Sequence, residues 1–302
     1  MKAVVYEKYG TAEVLNLTEI DKPIPKNDEV LIKVISTSVS AADWRLRKAD
    51  PFLARIFNGL FKPKRVKILG FEISGIVEEI GKNVKGFEKG DAVFAYCGLK
   101  FGGYAEYICL NETDIIAHKP ENMSFEEAAT TPLGSLTALF FLRKANVSGG
   151  QRILIYGASG SVGTFAIQLA KYFGAEVTAV CSTKNMVLVK SLGADYVIDY
   201  TNTDLTTLNS KFDLVFDAVG KLRKSKFSKV IHRNGNFVSV RSQTKPTQDN
   251  LLFIKGIIES GRLSSVIDRT YKLYDIKEAH LYVEQFRKKG NVAVQITSPS
   301  IN

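Results

Sequence analysis

Apolar and polar positions follow two different rhythms along this chain. In the first third, short runs of apolar and β-branched residues are set off by turn formers. They are Glu29-Val30-Leu31-Ile32-Lys33-Val34-Ile35, Gly75-Ile76-Val77-Glu78-Glu79-Ile80, Asp91-Ala92-Val93-Phe94-Ala95-Tyr96 and Tyr104-Ala105-Glu106-Tyr107-Ile108. Close spacing and glycine punctuation predict the strands of a small β-barrel or sandwich. The rhythm changes near His118-Lys119-Pro120, after which Ser124 and Glu127 have the spacing of a helical capping box. From Arg152 onward strands alternate with helices, which predicts βαβ units and a parallel sheet. Strands are expected at residues 152–156, 176–181, 196–199, 214–217 and 237–240. The end of the chain differs again, with a strand expected over 266–273, a helix over 275–288 and a last strand over 291–297. No internal repeat and no low-complexity tract interrupts the pattern.

At the centre of the alternating region stands Gly157-Ala158-Ser159-Gly160-Ser161-Val162-Gly163, behind the apolar strand Ile153-Leu154-Ile155-Tyr156. It opens a helix whose apolar residues Val162, Phe165, Ala166, Leu169, Ala170 and Phe173 lie on one face of a 3.6-residue period. Glycines allow a tight turn and let backbone approach a pyrophosphate, and the helix N-terminus offers that anion unpaired N–H groups. A glycine-rich turn alone is weak evidence; its place between strand and amphipathic helix makes it a dinucleotide site. An acid about 20 residues further on usually binds the ribose hydroxyls. Here the second strand runs instead into Ser182-Thr183-Lys184-Asn185, with no acid. A carboxylate there would repel a 2′-phosphate, whereas Ser182 and Lys184 would bind it, so the expected cofactor is NADPH. Tyr200, after the third strand, is placed to reach the same phosphate or to pack on the adenine edge.

Length, charge and cysteines narrow the class. A chain of 302 residues suggests two domains. No apolar run is long enough for a membrane span, and the start, Met1-Lys2-Ala3-Val4-Val5-Tyr6-Glu7-Lys8, reads as a first strand rather than a signal peptide. Cys97, Cys109 and Cys181 are far apart, as are His118, His232 and His280; no spacing proposes a metal site, and an odd cysteine count suits the reducing cytoplasm. The formal net charge of +10 raises nucleic-acid or membrane-surface binding. Lys and Arg are nevertheless spread along the whole chain, and the densest runs, Lys62-Pro63-Lys64-Arg65 and Lys221-Leu222-Arg223-Lys224, are short. A solvated basic surface is the expected meaning, with neither nucleic acid nor membrane as partner.

Several stretches together resemble the medium-chain dehydrogenase/reductase superfamily, in its zinc-free quinone-oxidoreductase-like (zeta-crystallin-like) branch. They are Gly70-Phe71-Glu72 with Gly75, Gly90-Asp91-Ala92-Val93, Gly102-Gly103-Tyr104-Ala105-Glu106-Tyr107, Leu133-Gly134-Ser135-Leu136-Thr137-Ala138, the run from Gly150 to Gly163, and Lys289-Gly290-Asn291-Val292. The resemblance covers nearly the whole chain. It implies an α/β fold, with a GroES-like β-barrel domain made of residues 1–118 and 267–302 and a Rossmann-type parallel-sheet domain made of 119–266. The zinc-dependent relatives carry two cysteines and a Gly-His-Glu at positions that here are Ser40, Leu133 and Phe71. None of the three can ligate zinc, which needs three such protein ligands.

Without zinc to stabilise an alkoxide, the easier task is hydride donation to an acceptor polarised by conjugation. The expected function is NADPH-dependent reduction of a quinone or an α,β-unsaturated carbonyl. A zinc-independent alcohol dehydrogenase, a reductase of carrier-bound enoyl chains and an NADPH-binding regulatory or RNA-binding protein stay open as alternatives. The resemblance places Gly157, Gly160, Ser161, Val162 and Gly163 on the pyrophosphate and Ser182, Lys184 and Tyr200 on the 2′-phosphate. It puts Val219 and Gly220 at the ribose, Val238 and Val240 on the nicotinamide side, and Asn291 facing the cofactor. Thr137 matches a threonine beside the nicotinamide; Ser40 and Asp43 stand where the family often has asparagine and aspartate by the substrate, but serine is shorter than asparagine, and fixing a loop is an equal expectation for Asp43. Tyr96 and Tyr104 read as packed tyrosines, which leaves water as the proton source. The stretch Val240-Arg241-Ser242-Gln243 to Asp249 lacks a helix and strand of the family pattern, at an edge that often joins two subunits. A monomer or an altered homodimer is therefore expected.

Overall fold

A computed structural model describes residues 1–298. The chain forms two compact units, Met1–Leu133 together with the segment from Ile267, and Gly134–Val266. The first seam falls later than 118, because α3 (Phe125–Ala129), opened by the expected Ser124–Glu127 capping box, packs on strands of the first unit.

The first unit runs through β1 (Lys2–Val5), β2 (Asn16–Glu19), β3 (Glu29–Ser38), α1 (Ala41–Lys48), α2 (Ala54–Asn58), β4 (Glu72–Ile80), β5 (Ala92–Tyr96), β6 (Tyr107–Asn111) and β7 (Ile115–His118). The long β3 is almost wholly buried because it pairs with β4, β6 and, antiparallel, the last strand of the chain. One expected strand is displaced: regular pairing begins at Tyr107, not Tyr104. Tyr104 and Ala105 instead meet β1, with the Val4 N–H on the Tyr104 carbonyl at 2.8 Å. The reason is the Tyr104 side chain, fully buried and held by polar partners inside the unit.

The second unit begins within α4 (Pro132–Lys144). It continues through β8 (Arg152–Tyr156), α5 (Ser161–Tyr172), β9 (Glu176–Cys181), α6 (Met186–Ser191), β10 (Tyr196–Asp199), β11 (Phe212–Asp217), β12 (Ile231–Ser239) and α7 (Gln248–Glu259). Its five strands are all parallel, in the order β10-β9-β8-β11-β12. The order reverses between β8 and β11, the place where such sheets bind ligands beyond their strand C-termini. β12 starts earlier than expected, through the polar residues His232, Arg233 and Asn234. As an edge strand it needs neighbours on one side only, so an outward polar face is tolerated and discourages edge pairing. Residues 240–247 then lead to α7 with no further strand.

The chain returns to the first unit through β13 (Ile267–Lys272), α8 (Ile276–Glu284) and β14 (Asn291–Gln295). α8 is shorter than the sequence pattern predicts, because Phe286 takes a left-handed φ of 56° and turns the chain toward β14. α8 is tied to α1 by charge. Arg47 is fully buried; its guanidinium donates to the Gly10 carbonyl at 3.0 Å and to Glu284, which also pairs with Lys48. Burial lowers the Arg47 pKa to about 10, yet it stays charged at neutral pH. Removing one partner of a buried pair strands the other charge. Glu284→Ala should therefore cost about 3–5 kcal/mol in denaturant unfolding, and Lys48→Ala under about 1 kcal/mol. Equal costs for the two would contradict this reading.

Candidate active site

In the second unit the expected cofactor residues gather at the C-terminal ends of the parallel strands. The glycine turn follows β8, Ser182 and Lys184 follow β9, and Tyr200 follows β10. Val219 and Gly220 follow β11, while Val238 is the penultimate residue of β12 and Val240 lies just beyond it. Two of the glycines are dictated by space. A Cβ on Gly157 would lie 2.1 Å from a Val219 methyl, and one on Gly163 would lie 2.2 Å from the Gly157 carbonyl. Gly160 caps α5 without a side-chain bond, so the N–H groups at the start of α5 have no acceptor within the helix. Those amides and the positive end of the helix dipole form an anion cradle. Thr137, on α4, is partly exposed, and the same helix approaches α5 closely at Gly134, where a Cβ would meet Ser161 Oγ at 2.7 Å.

Asp217, which the sequence reading passed over, organises the wall of this site. Fully buried at the end of β11, its carboxylate accepts the N–H groups of Val219, Gly220, Lys221 and Leu222 at 2.8–3.2 Å and the Ser239 hydroxyl at 3.0 Å. The signal was an acid ending a strand just before Val219-Gly220, the pattern of a turn held by a side chain.

Beside Tyr200 lies a cavity of about 400 Å³. Tyr156, Leu222 and Phe227 give it an apolar wall, Lys221, Arg223 and Lys226 a cationic one, and Asp204 also lines it. The basic run at Lys221 is exposed, as a solvated surface is, and borders this cavity. Lys184 is exposed and forms no ion pair among the described residues. Neighbouring Asn185 is buried and donates to Ser159 Oγ at 2.9 Å, tying the β9 loop to the glycine turn.

In the first unit, Ser40 and Asp43 belong to the fold. Ser40 caps α1, and Asp43 accepts both its N–H (2.8 Å) and its hydroxyl (2.6 Å). The other Asp43 oxygen accepts the Gly70 N–H at 2.9 Å, and Tyr104 adds a further hydrogen bond. With no solvent exposure and both oxygens engaged, Asp43 holds the Gly70 loop in place. This is the loop-fixing role that the sequence left open for Asp43 beside a substrate role. Burial raises the Asp43 pKa to about 6 against these hydrogen bonds. Tyr104 also meets His280 Nε2 at 3.1 Å; burial holds the phenol well above and the imidazole well below their ordinary ranges, so both are neutral. Burial also raises Tyr96 to about 12.

The positions of the relatives' zinc ligands are put to other uses. The Phe71 ring packs on Phe101 with centroids 4.2 Å apart, and the Leu133 N–H bonds Glu72 at 2.6 Å. Glu72 also accepts the Ser38 hydroxyl, and burial raises its pKa to about 7. Lys288, near it in charge, is lowered by burial to about 8. Among the described residues no group of three or more His, Cys, Asp or Glu side chains could hold a metal ion. Asn291, at the start of β14, is buried.

Comparison with known proteins decides the ancestry. Residues 26–121 match the alcohol dehydrogenase GroES-like domain and residues 161–272 the zinc-binding dehydrogenase family. The chain is 36% identical to a 2-methylene-furan-3-one reductase of Solanum lycopersicum, over 97% of this chain and 79% of the relative. The chain belongs to the medium-chain dehydrogenase/reductase superfamily. Within that superfamily it falls in the quinone-oxidoreductase-like branch of NAD(P)H oxidoreductases. It is 35% identical to a chloroplastic NADPH-dependent alkenal/one oxidoreductase of Arabidopsis thaliana, over 97% of this chain and 79% of that one. The quinone oxidoreductase of Coxiella burnetii superposes with a TM-score of 0.85 at 28% identity, over 98% of this chain and 99% of that one.

Two outcomes follow. Gly163→Ala should abolish nicotinamide coenzyme binding in a calorimetric titration, because its Cβ meets backbone that cannot yield; undiminished affinity would contradict the cradle. The second concerns pH. Glu72 binds its proton more tightly in the folded chain than unfolded, so its share of stability is present at low pH and lost as pH rises from 4.5 to about 7. Relative to the parent, Glu72→Gln should therefore gain stability across that window, on the order of 3 kcal/mol. A stability difference that does not vary with pH would exclude the shift.

Proposed function

We propose that this protein is an NADPH-dependent reductase that passes hydride to a small conjugated acceptor, a quinone or an α,β-unsaturated carbonyl, without a metal. One observation carries the reading: a turn with no room for Cβ atoms delivers the open amides of α5 to the sheet's reversal point, beside a cavity with cationic walls. The N–H groups of Ser161, Val162 and Gly163 would hold the pyrophosphate, with Gly157 and Gly160 keeping side chains out of its way. Ser182, Lys184 and Tyr200 would hold the 2′-phosphate, with Arg223 supplying further positive charge from the cavity wall. Val219 and Gly220, fixed by Asp217, would border the ribose, and Val238, Val240 and Thr137 would line the nicotinamide side.

When bound, the reduced nicotinamide supplies the hydride. The chain's own residues supply position and exclude water from the acceptor. Asp43, sealed in its cap, and Tyr104, held as a buried phenol, are withdrawn from proton delivery. Water is left as the donor to the enolate or hydroquinone oxygen. The tomato and Arabidopsis relatives are named for conjugated carbonyl substrates, which supports this acceptor class, and the latter for NADPH. The polar edge of β12 supports a monomer or an altered homodimer, and three unpaired cysteines support a cytoplasmic home.

Lys184→Ala tests the cofactor. A lost charge-assisted contact to the 2′-phosphate should lower kcat/KM for NADPH by about tenfold and leave that for NADH unchanged. An unaltered preference between the two would remove Lys184 from the site, and no coenzyme oxidation with any quinone or enone would end the reading.

A further inference from the structure

The basic run Lys62-Pro63-Lys64-Arg65 adjoins a feature that sequence alone does not disclose. In residues 52–61, Phe52, Leu53, Ile56, Leu60 and Phe61 are all exposed, Ile56 at 70% and Phe61 at 86%. Large apolar side chains scattered singly on a surface need no explanation; a cluster of this kind marks an interaction site.

The segment holds these side chains outward on a pinned base. Buried Asn58 donates to Tyr6 Oη at 2.7 Å and to the Val66 carbonyl at 3.2 Å, and accepts the Val66 N–H at 2.7 Å. The Tyr9 hydroxyl donates to the Gly59 carbonyl at 2.7 Å, and the Lys64 N–H to that of Asn58 at 2.7 Å. Phe57 packs inward against the core of the first unit. The exposure is therefore built into the local fold.

Charge surrounds the apolar tips. Lys62, Lys64, Arg65 and Lys67 are exposed and make no ion pair among the described residues. No acid occurs between Asp50 and Glu72. We infer that this segment docks on an anionic lipid bilayer. Phe52, Ile56 and Phe61 enter the boundary between headgroups and acyl chains, while Lys62, Lys64 and Arg65 meet lipid phosphates and carboxylates. A nucleic acid would satisfy the basic groups and leave Leu53, Ile56 and Leu60 in water. A second copy of the chain would cover the apolar tips but bring two unpaired cationic clusters together. A bilayer satisfies both halves at once. The contact is one-sided, in keeping with the absence among the described residues of any helix long and apolar enough to cross a membrane.

The test is flotation of the full chain with vesicles of phosphatidylcholine alone or mixed with phosphatidylserine. The protein should float with the anionic vesicles and remain behind with the neutral ones. Phe52→Ser with Phe61→Ser, and separately Lys62→Glu with Lys64→Glu, should each weaken partitioning by roughly tenfold or more. Lys82→Glu with Lys85→Glu, an equal charge change at other exposed lysines of the same unit, should retain most of it. Thermal melting checks that each variant folds; these side chains are exposed, so little change is expected. Failure to float with anionic vesicles would overturn the proposal. So would equal loss in the Lys82/Lys85 control, which would mean adsorption by net charge. Retention of binding after loss of both phenylalanines, a dimer dissolved by that same change, or RNA binding in place of vesicle binding would each overturn it too.

Discussion

The structure of the second unit depends on one steric constraint: a bend of main chain at the end of β8 that leaves no space for a Cβ at Gly157 or Gly163. Because α5 can start so close to the strand, its open amides lie at the C-terminal edge of the sheet, where the strand order reverses. The surrounding residues maintain that approach. Val219 presses on Gly157, Asp217 gathers the amides that position Val219, and Asn185 links the next loop back to Ser159. Each contact is modest; together they hold the turn and its neighbouring loops in one arrangement.

The first unit spends buried polar groups on fixing its own loops. Ser40 caps α1 with Asp43. Phe71 packs on Phe101, and the neighbouring Glu72 is held by Ser38 and the Leu133 amide. The cost is two buried carboxyl groups with raised proton affinity, tolerated because each is richly hydrogen-bonded.

Much of this was legible from sequence because the relevant signals are local. The glycine-punctuated apolar runs, the 3.6-residue stripe on α5 and the Ser124–Glu127 capping box each depend on neighbouring residues, and strands or helices formed at each. The misplacements arose where distant contacts decide. Tyr104 and Ala105 left their expected strand because a buried hydroxyl sought Asp43 and His280, far away in sequence. β12 extended through polar residues because it is an edge. Asp43 carries the family's residue type, but only three-dimensional contacts reveal both oxygens to be occupied. The cavity beside the exposed Lys221 and Arg223 was not legible, because it forms only where the ends of β8, β10 and β11 meet.

The claim on which the rest stands is that the amides opening α5, with the cations nearby, bind a dinucleotide carrying an additional phosphate. Titrating NADPH into the purified protein and following the heat released measures this directly. The account predicts saturable uptake of one coenzyme per chain, with NADH bound more weakly by a factor that shrinks as salt screens the extra phosphate. Absence of saturable binding, or NADH held as tightly as NADPH, would contradict it.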